Sequence, residues 1–186
     1  MATFGNIALA GTVTVGIEDT ITGGFFQMGA TAGEGDSITI KLTVTRAAHN
    51  MKCALYDSLN NLVPNSVTEE IAVPIQAAIP TTFNFGATKP TLTAAAWYYI
   101  VVWSINVLGS AATWYEYTGG AGLGYVDEMP YNSFPDPIPW WVYPDYLFDG
   151  YCTYTETVAP AAAKKHPSVL IRKIGLPTPM NAGLGL

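Results

Sequence analysis

The chain has 186 residues, of which 49% are hydrophobic and only 12% charged, and its formal net charge is −6. That length holds one domain with a sizeable core plus an appendage, while the charged share is about half that of an ordinary soluble domain. The charge balance argues against nucleic acid as a partner, because phosphate binding needs clustered cations that the acidic part of the chain lacks. A membrane span is excluded too: the longest apolar run, Ala94 to Trp103, falls short of the roughly 20 residues required.

Met1-Ala2-Thr3-Phe4-Gly5-Asn6 opens the chain without a basic start or an apolar run, so no secretory signal is expected. Short segments follow at Gly11 to Ile17 and Phe25 to Thr31. The cleanest is Asp36 to Thr45, where Ile38, Ile40, Leu42 and Val44 take one face and Thr39, Lys41, Thr43 and Thr45 the other. That period of two predicts a strand with one face in a core and one in water. Gly33-Glu34-Gly35-Asp36 supplies the turn before it. Further strands are expected at Met51 to Asp57, Val67 to Val73 and Thr81 to Gly86, divided by turn signals at Asp57 to Asn61 and Pro64-Asn65.

Ala94-Ala95-Ala96 makes one helical turn at most, and no window of 11 or more residues has a helical period. From Trp97 to Ser104 both faces are apolar: Trp97, Tyr99, Val101 and Trp103 on one, Tyr98, Ile100 and Val102 on the other. This predicts a central strand whose outer face is covered, either by the segment Tyr125 to Tyr146 or by another subunit. Ala112 to Thr118 and Leu147 to Thr155 complete the strands. Between them Tyr131, Phe134, Trp140, Trp141, Tyr143 and Tyr146 are interleaved with Pro130, Pro135, Pro137, Pro139 and Pro144. Prolines forbid a regular strand or helix there, so a packed or functional loop is expected. Residues 1–158 therefore read as an all-β, two-layer antiparallel sandwich, jelly-roll-like, and residues 159–186 as an extended C-terminal arm.

Charge separates the two parts. The first 163 residues hold 14 acidic and 4 basic side chains, whereas the rest hold Lys164, Lys165, Arg172 and Lys173 and no carboxylate side chain. Within the arm the apolar residues Val169, Leu170, Ile171, Ile174 and Leu176 stand around Arg172 and Lys173. Burying those five yields on the order of 1.5–3 kcal/mol each. Ordering about 25 residues costs roughly 1–2 kcal/mol apiece for backbone alone. The arm is thus expected to order only on a surface, for instance by adding a strand to a neighbour's sheet edge.

Little in the sequence points to catalysis. His49 and His166 have no nucleophile near them in sequence, and no nucleophile elbow, phosphate-cradling loop or zinc spacing occurs. The close carboxylate pairs Glu18-Asp19, Glu34 and Asp36, Glu69-Glu70 and Asp127-Glu128 read as solvated turn residues rather than a glycosidase pair or a calcium loop. No catalytic residue, metal or cofactor is expected. Cys53 and Cys152, each inside a predicted strand, read as two buried thiols, or as a disulfide if their strands are neighbours. Trp140, Trp141 and Tyr143 are the candidate platform for stacking on a sugar ring; the competing reading has them covering the sandwich or a subunit interface.

Four segments in order carry a family resemblance: Thr3-Phe4-Gly5-Asn6, Asn50-Met51-Lys52-Cys53-Ala54-Leu55-Tyr56-Asp57, Leu92-Thr93-Ala94 before the aromatic strand, and Phe134-Pro135-Asp136-Pro137. Over Thr3 to Tyr154 the chain resembles β-sandwich domains of tailed-phage and archaeal-virus virion proteins and of metagenomic surface proteins. The family's glycine before the aromatic strand is replaced by Ala95-Ala96, which puts the shape of that turn in question. The resemblance implies a structural or recognition module on a particle exterior and carries over no catalytic residue. The leading expectation is a virion structural protein: a decoration-like capsid or tail subunit, assembled in a host cytoplasm, homo-oligomeric and fastened through its arm to sister subunits or other virion proteins. The competing expectation is a carbohydrate-binding or host-adhesion module with a cell-surface glycan as partner. An enzyme such as a carbohydrate esterase stands well behind both.

Overall fold

A computed structural model describes residues 1–11, 13–108, 110–118, 124–128, 130–139, 142–143 and 146–157. Among them there is no helix, and fourteen strands form two antiparallel sheets packed face to face. The first sheet is built on β4 (Gly33–Thr45). Along one side of it lie β14 (Gly150–Glu156) and β10 (Ala111–Thr118); along the other lie β7 (Gln76–Asn84) and β8 (Thr91–Leu92). β1 (Ala2–Gly5) extends the sheet beyond β14, and β2 (Val13–Gly16) and β13 (Tyr146–Phe148) pair with β10. The second sheet runs β12 (Val142–Tyr143), β11 (Gly124–Glu128), β3 (Thr20–Gln27), β9 (Trp97–Ser104), β5 (His49–Asp57) and β6 (Ile71–Val73). The chain steps repeatedly between sheets, from β3 to β4 to β5 and from β9 to β10 to β11. Such cross-sheet connections are those of a jelly-roll-like sandwich.

The alternation over Ile38 to Val44 is realised as written, but Gly33-Glu34-Gly35-Asp36, expected as a turn, form the first residues of β4, paired with β14 and β8. Ile38, Ile40, Leu42 and Val44 point into the space between the sheets and meet Phe4, Leu55, Phe83, Ile100, Val102 and Phe148 there. Elsewhere the register departs from expectation. β3 occupies Thr20–Gln27 rather than Phe25 to Thr31, because Thr20, Thr22, Gly23 and Gly24 hide a buried strand behind polar and side-chain-free positions. β7 starts five residues before the expected Thr81, and only the end of Val67 to Val73 is a strand. Residues 94–95 form a turn, not a helical one, in which Ala95 takes the left-handed φ of 56° that glycine would accept more readily.

Cys53 and Cys152 are free and buried on opposing sheets, Cys53 in β5 and Cys152 in β14. Burial pushes both thiols well above their ordinary pKa. Among the described residues β7 pairs as a strand with β4, its last residue Asn84 also accepts from the Glu69 N–H (3.0 Å), and its outer edge carries a proline. The Lys41 main-chain N–H turns toward Asp149 (3.2 Å), so its cross-strand partner Pro80 has its main-chain groups facing away from β4. A proline there offers no donor to an added strand. The arm residues Val169, Leu170, Ile171, Arg172, Lys173, Ile174 and Leu176 lie outside the described residues, as do Trp140 and Trp141.

Candidate functional site

The outer face of the second sheet is aromatic, and the pairing of β5, β9 and β3 arranges it in rows. Lys52, Trp103 and Ile21 form one row, Ala54, Val101 and Gly23 the next, and Tyr56, Tyr99 and Phe25 the third; Trp97 then pairs with Gln27. Residues 130–139 lie over the first three rows. Phe134 and Ile138 are buried against Ile21, Ala54, Tyr56, Val101 and Trp103, forming a second core outside the sandwich. The expected cover of the aromatic strand is therefore this proline-rich segment of the same chain.

Hydrogen bonds fix the cover at both ends. Tyr56 Oη donates to the Pro135 carbonyl (2.7 Å), the Ile138 N–H to the Asn60 carbonyl (3.1 Å), and the Leu62 N–H to Asp136 Oδ1 (2.9 Å). At the other end Lys52 Nζ donates to the Asn132 carbonyl and sits 4.5 Å from the ring centre of Tyr131, 5.2 Å from Trp103 and 5.5 Å from Phe134. Tyr131 Oη donates to Glu70 Oε2 (2.7 Å), and Asn50 Nδ2 to Glu70 Oε1 (2.9 Å). Burial lowers the Lys52 pKa, and the charge of Glu70 opposes that. For Tyr56, burial and then Asp136 raise the phenol; for Tyr131, burial and then the bond to Glu70 do so. These phenols stay protonated and act as donors. A cation held against three rings contributes about 0.5–2 kcal/mol to attaching the cover.

Beyond the cover the stack opens. Phe25 lies 4.2 Å from Tyr99 and 4.9 Å from Trp97, with planes inclined by 24° and 25°, and Trp97 remains 44% exposed. Trp97 ends a stack of three rings, and stacking on one more ring is what such an end offers. Of the expected platform, Tyr143 has its backbone in the edge strand β12, paired with Gly124, and Trp140 and Trp141 lie outside the described residues. The sequence reading missed Phe25 as a site residue. Its signal was present as the pair Phe25-Phe26 opposite an aromatic strand, but only the register brings it to Trp97.

His49 is fully buried, and the fold brings two hydroxyls to it that are distant in sequence. Its Nδ1 meets Ser104 Oγ (3.2 Å) and the Ile105 carbonyl (3.0 Å), and its Nε2 meets Ser110 Oγ (2.9 Å). Ser110 in turn donates to the Thr45 carbonyl. The group ties together the ends of β4, β5 and β9. Among the described residues no three His, Cys, Asp or Glu side chains converge as a metal site. Comparison with protein-family models, curated proteins and solved structures finds no match for this chain.

Proposed function

We propose that the protein is a structural subunit of a virion exterior, a decoration-like capsid or tail component fastened through residues 159–186. The observation that carries this reading is the division of charge: an acidic sandwich of 14 carboxylates against 4 cations, followed by a stretch with 4 cations and no acidic side chain. Oppositely charged parts of sister copies attract, and such attraction orients association more than it adds affinity. Large apolar side chains left exposed at Leu59, Ile75, Ile79, Trp97 and Leu108 supply further surface for neighbours. The proline on the outer edge of β7 removes one donor from that edge, which favours a different edge or a face for an arriving arm.

Light scattering on the full chain and on residues 1–158 tests it. The full chain is expected to run as a trimer or larger, and the truncated chain to keep its melting temperature but run as a monomer. A monomeric full chain overturns the proposal.

One observation favours a second reading, glycan binding: the open end of the Trp97–Phe25–Tyr99 stack. Under it, Trp97→Ala weakens binding on a glycan array by about tenfold, the equivalent of one ring contact. Trp140→Ala and Trp141→Ala run beside it report on the platform expected from sequence. An array that stays blank for the wild-type protein removes this reading.

A further inference from the structure

Three residues distant in sequence stand abreast across β1, β14 and β4. Asn6 directly follows β1, Asp149 directly precedes β14, and Lys41 lies within β4. Main-chain bonds hold them side by side, from the Asn6 N–H to the Gly150 carbonyl (2.9 Å) and from the Lys41 N–H to the Asp149 carbonyl (3.2 Å). Asp149 is fully buried. Its Oδ1 accepts from Asn6 Nδ2 at 2.6 Å and its Oδ2 from the Gly11 N–H at 2.5 Å. Residues 6–11 fold over the group: Lys41 Nζ donates to the Leu9 carbonyl (2.8 Å) and the Gly11 carbonyl (3.3 Å). The Ala8 N–H donates to Asn6 Oδ1 (3.2 Å).

We propose that the chain modifies itself here, joining Lys41 Nζ to Asn6 Cγ in an isopeptide bond with release of ammonia. Each part of that reaction has a candidate residue in the group, with Lys41 Nζ resting on the Leu9 and Gly11 carbonyls. Lys41 supplies the amine nucleophile and Asn6 the carboxamide. The Ala8 N–H points at the amide oxygen on which negative charge develops when Cγ becomes tetrahedral, the role of an oxyanion donor. Asp149 already touches the nitrogen that must leave, and it is the catalytic residue of the set. Burial raises its carboxyl pKa, opposed by the Gly11 N–H and the charge of Lys41, a direction that helps the carboxylate take up a proton during the step.

The balance closes without any co-reactant. The Lys41 ammonium, swung from the Leu9 and Gly11 carbonyls toward Asp149, gives a proton to that carboxylate, and the free amine attacks Asn6 Cγ to form the new C–N bond. Asp149 passes its proton to Nδ2, the old C–N bond breaks and NH₃ departs. The remaining proton on the new amide nitrogen goes to Asp149, which ends as the neutral acid. No electron changes hands. The product staples the residue after β1 to the central strand of the first sheet. This inference does not depend on the virion reading; it holds or fails for the chain alone.

Tryptic mapping of the purified, folded full chain decides it. No Lys or Arg precedes Lys41, and the next is Arg46. An acylated Lys41 is not cut, so the first tryptic fragment is expected to run to Arg46 and to be lighter than its sequence by one ammonia. Cleavage after Glu18 and Glu34 should leave its two ends joined. Asn6→Ala and Lys41→Arg, which keep Asp149, are expected to restore the full mass, and Asn6→Asp to form the same bond with loss of water. Asp149→Ala is expected to leave Lys41 cleavable; its fold is checked by circular dichroism. A folded wild-type chain that releases an ordinary fragment ending at Lys41, at full sequence mass, overturns the proposal and leaves the group as a hydrogen-bonded clamp.

Discussion

Trp103→Ala is expected to cost about 3–5 kcal/mol of stability and to make residues 130–139 the first site of proteolytic cleavage. Trp103 is among the largest fully buried side chains, yet it belongs to the second core and not to the space between the sheets. Its ring meets Phe134 at 5.2 Å and Tyr131 at 5.3 Å, edge to face in the latter case, and receives Lys52 at 5.2 Å. Truncation removes the floor on which the proline-rich cover rests and leaves a cavity that this cover, short of regular main-chain pairing, cannot refill. Native domains are stable by only about 5–15 kcal/mol, so a large part of the total is at stake. Tyr56→Phe serves as the contrast. It deletes the bond to the Pro135 carbonyl and keeps the ring, and is expected to cost about 0.5–1.5 kcal/mol. Urea denaturation with limited proteolysis reads both. A loss under about 1 kcal/mol for Trp103→Ala would mean that the cover does not depend on this ring.

The two elements best legible in the amino-acid sequence, β4 and β9, are those in which exposure alone decides the residue pattern. β4 alternates because one face is wet. β9 is apolar on both faces because a core lies on each side, and the sequence correctly called for a cover. What it could not tell was which aromatics do the covering. Phe134 and Ile138 seat on the sheet because Asp136 and Pro135 are bonded to Leu62 and Tyr56 across 74 and 79 residues, pairings that no local pattern encodes. The same holds for Asn6 and Asp149, 143 residues apart, and for His49, whose partners at Ser104 and Ser110 lie 55 and 61 residues away. β3 was misplaced for a different reason: its buried positions are filled by threonine and glycine, which carry no hydrophobic signal. Those glycines are a packing requirement, and they lead to the second large effect.

Gly23→Ala is expected to abolish the soluble fold or to lower its stability by about 4 kcal/mol or more, although it adds a single methyl group. Gly23 sits in the interior of β3 against Val101 of β9. A Cβ built there would fall 2.1 Å from the Ile100 carbonyl oxygen, 2.7 Å from Val101 Cγ1 and 2.8 Å from Val101 Cα. Two of those atoms are main chain, so no change of rotamer relieves the contact. The strand cannot retreat either, because β9 is held by β3 on one side and β5 on the other. Relief would require β3 to part from β9, which opens the centre of the second sheet. Gly86→Ala is the matched control: a Cβ at Gly86 meets nothing within 4 Å, and its effect is expected to stay within about 0.5 kcal/mol. For a domain of this size each kcal/mol shifts the melting point by roughly 2–4 °C, so the two variants should differ by about 10 °C or more if both fold. Melting within a few degrees of one another would show that the second sheet yields at its centre, contrary to the packing described for β3 and β9.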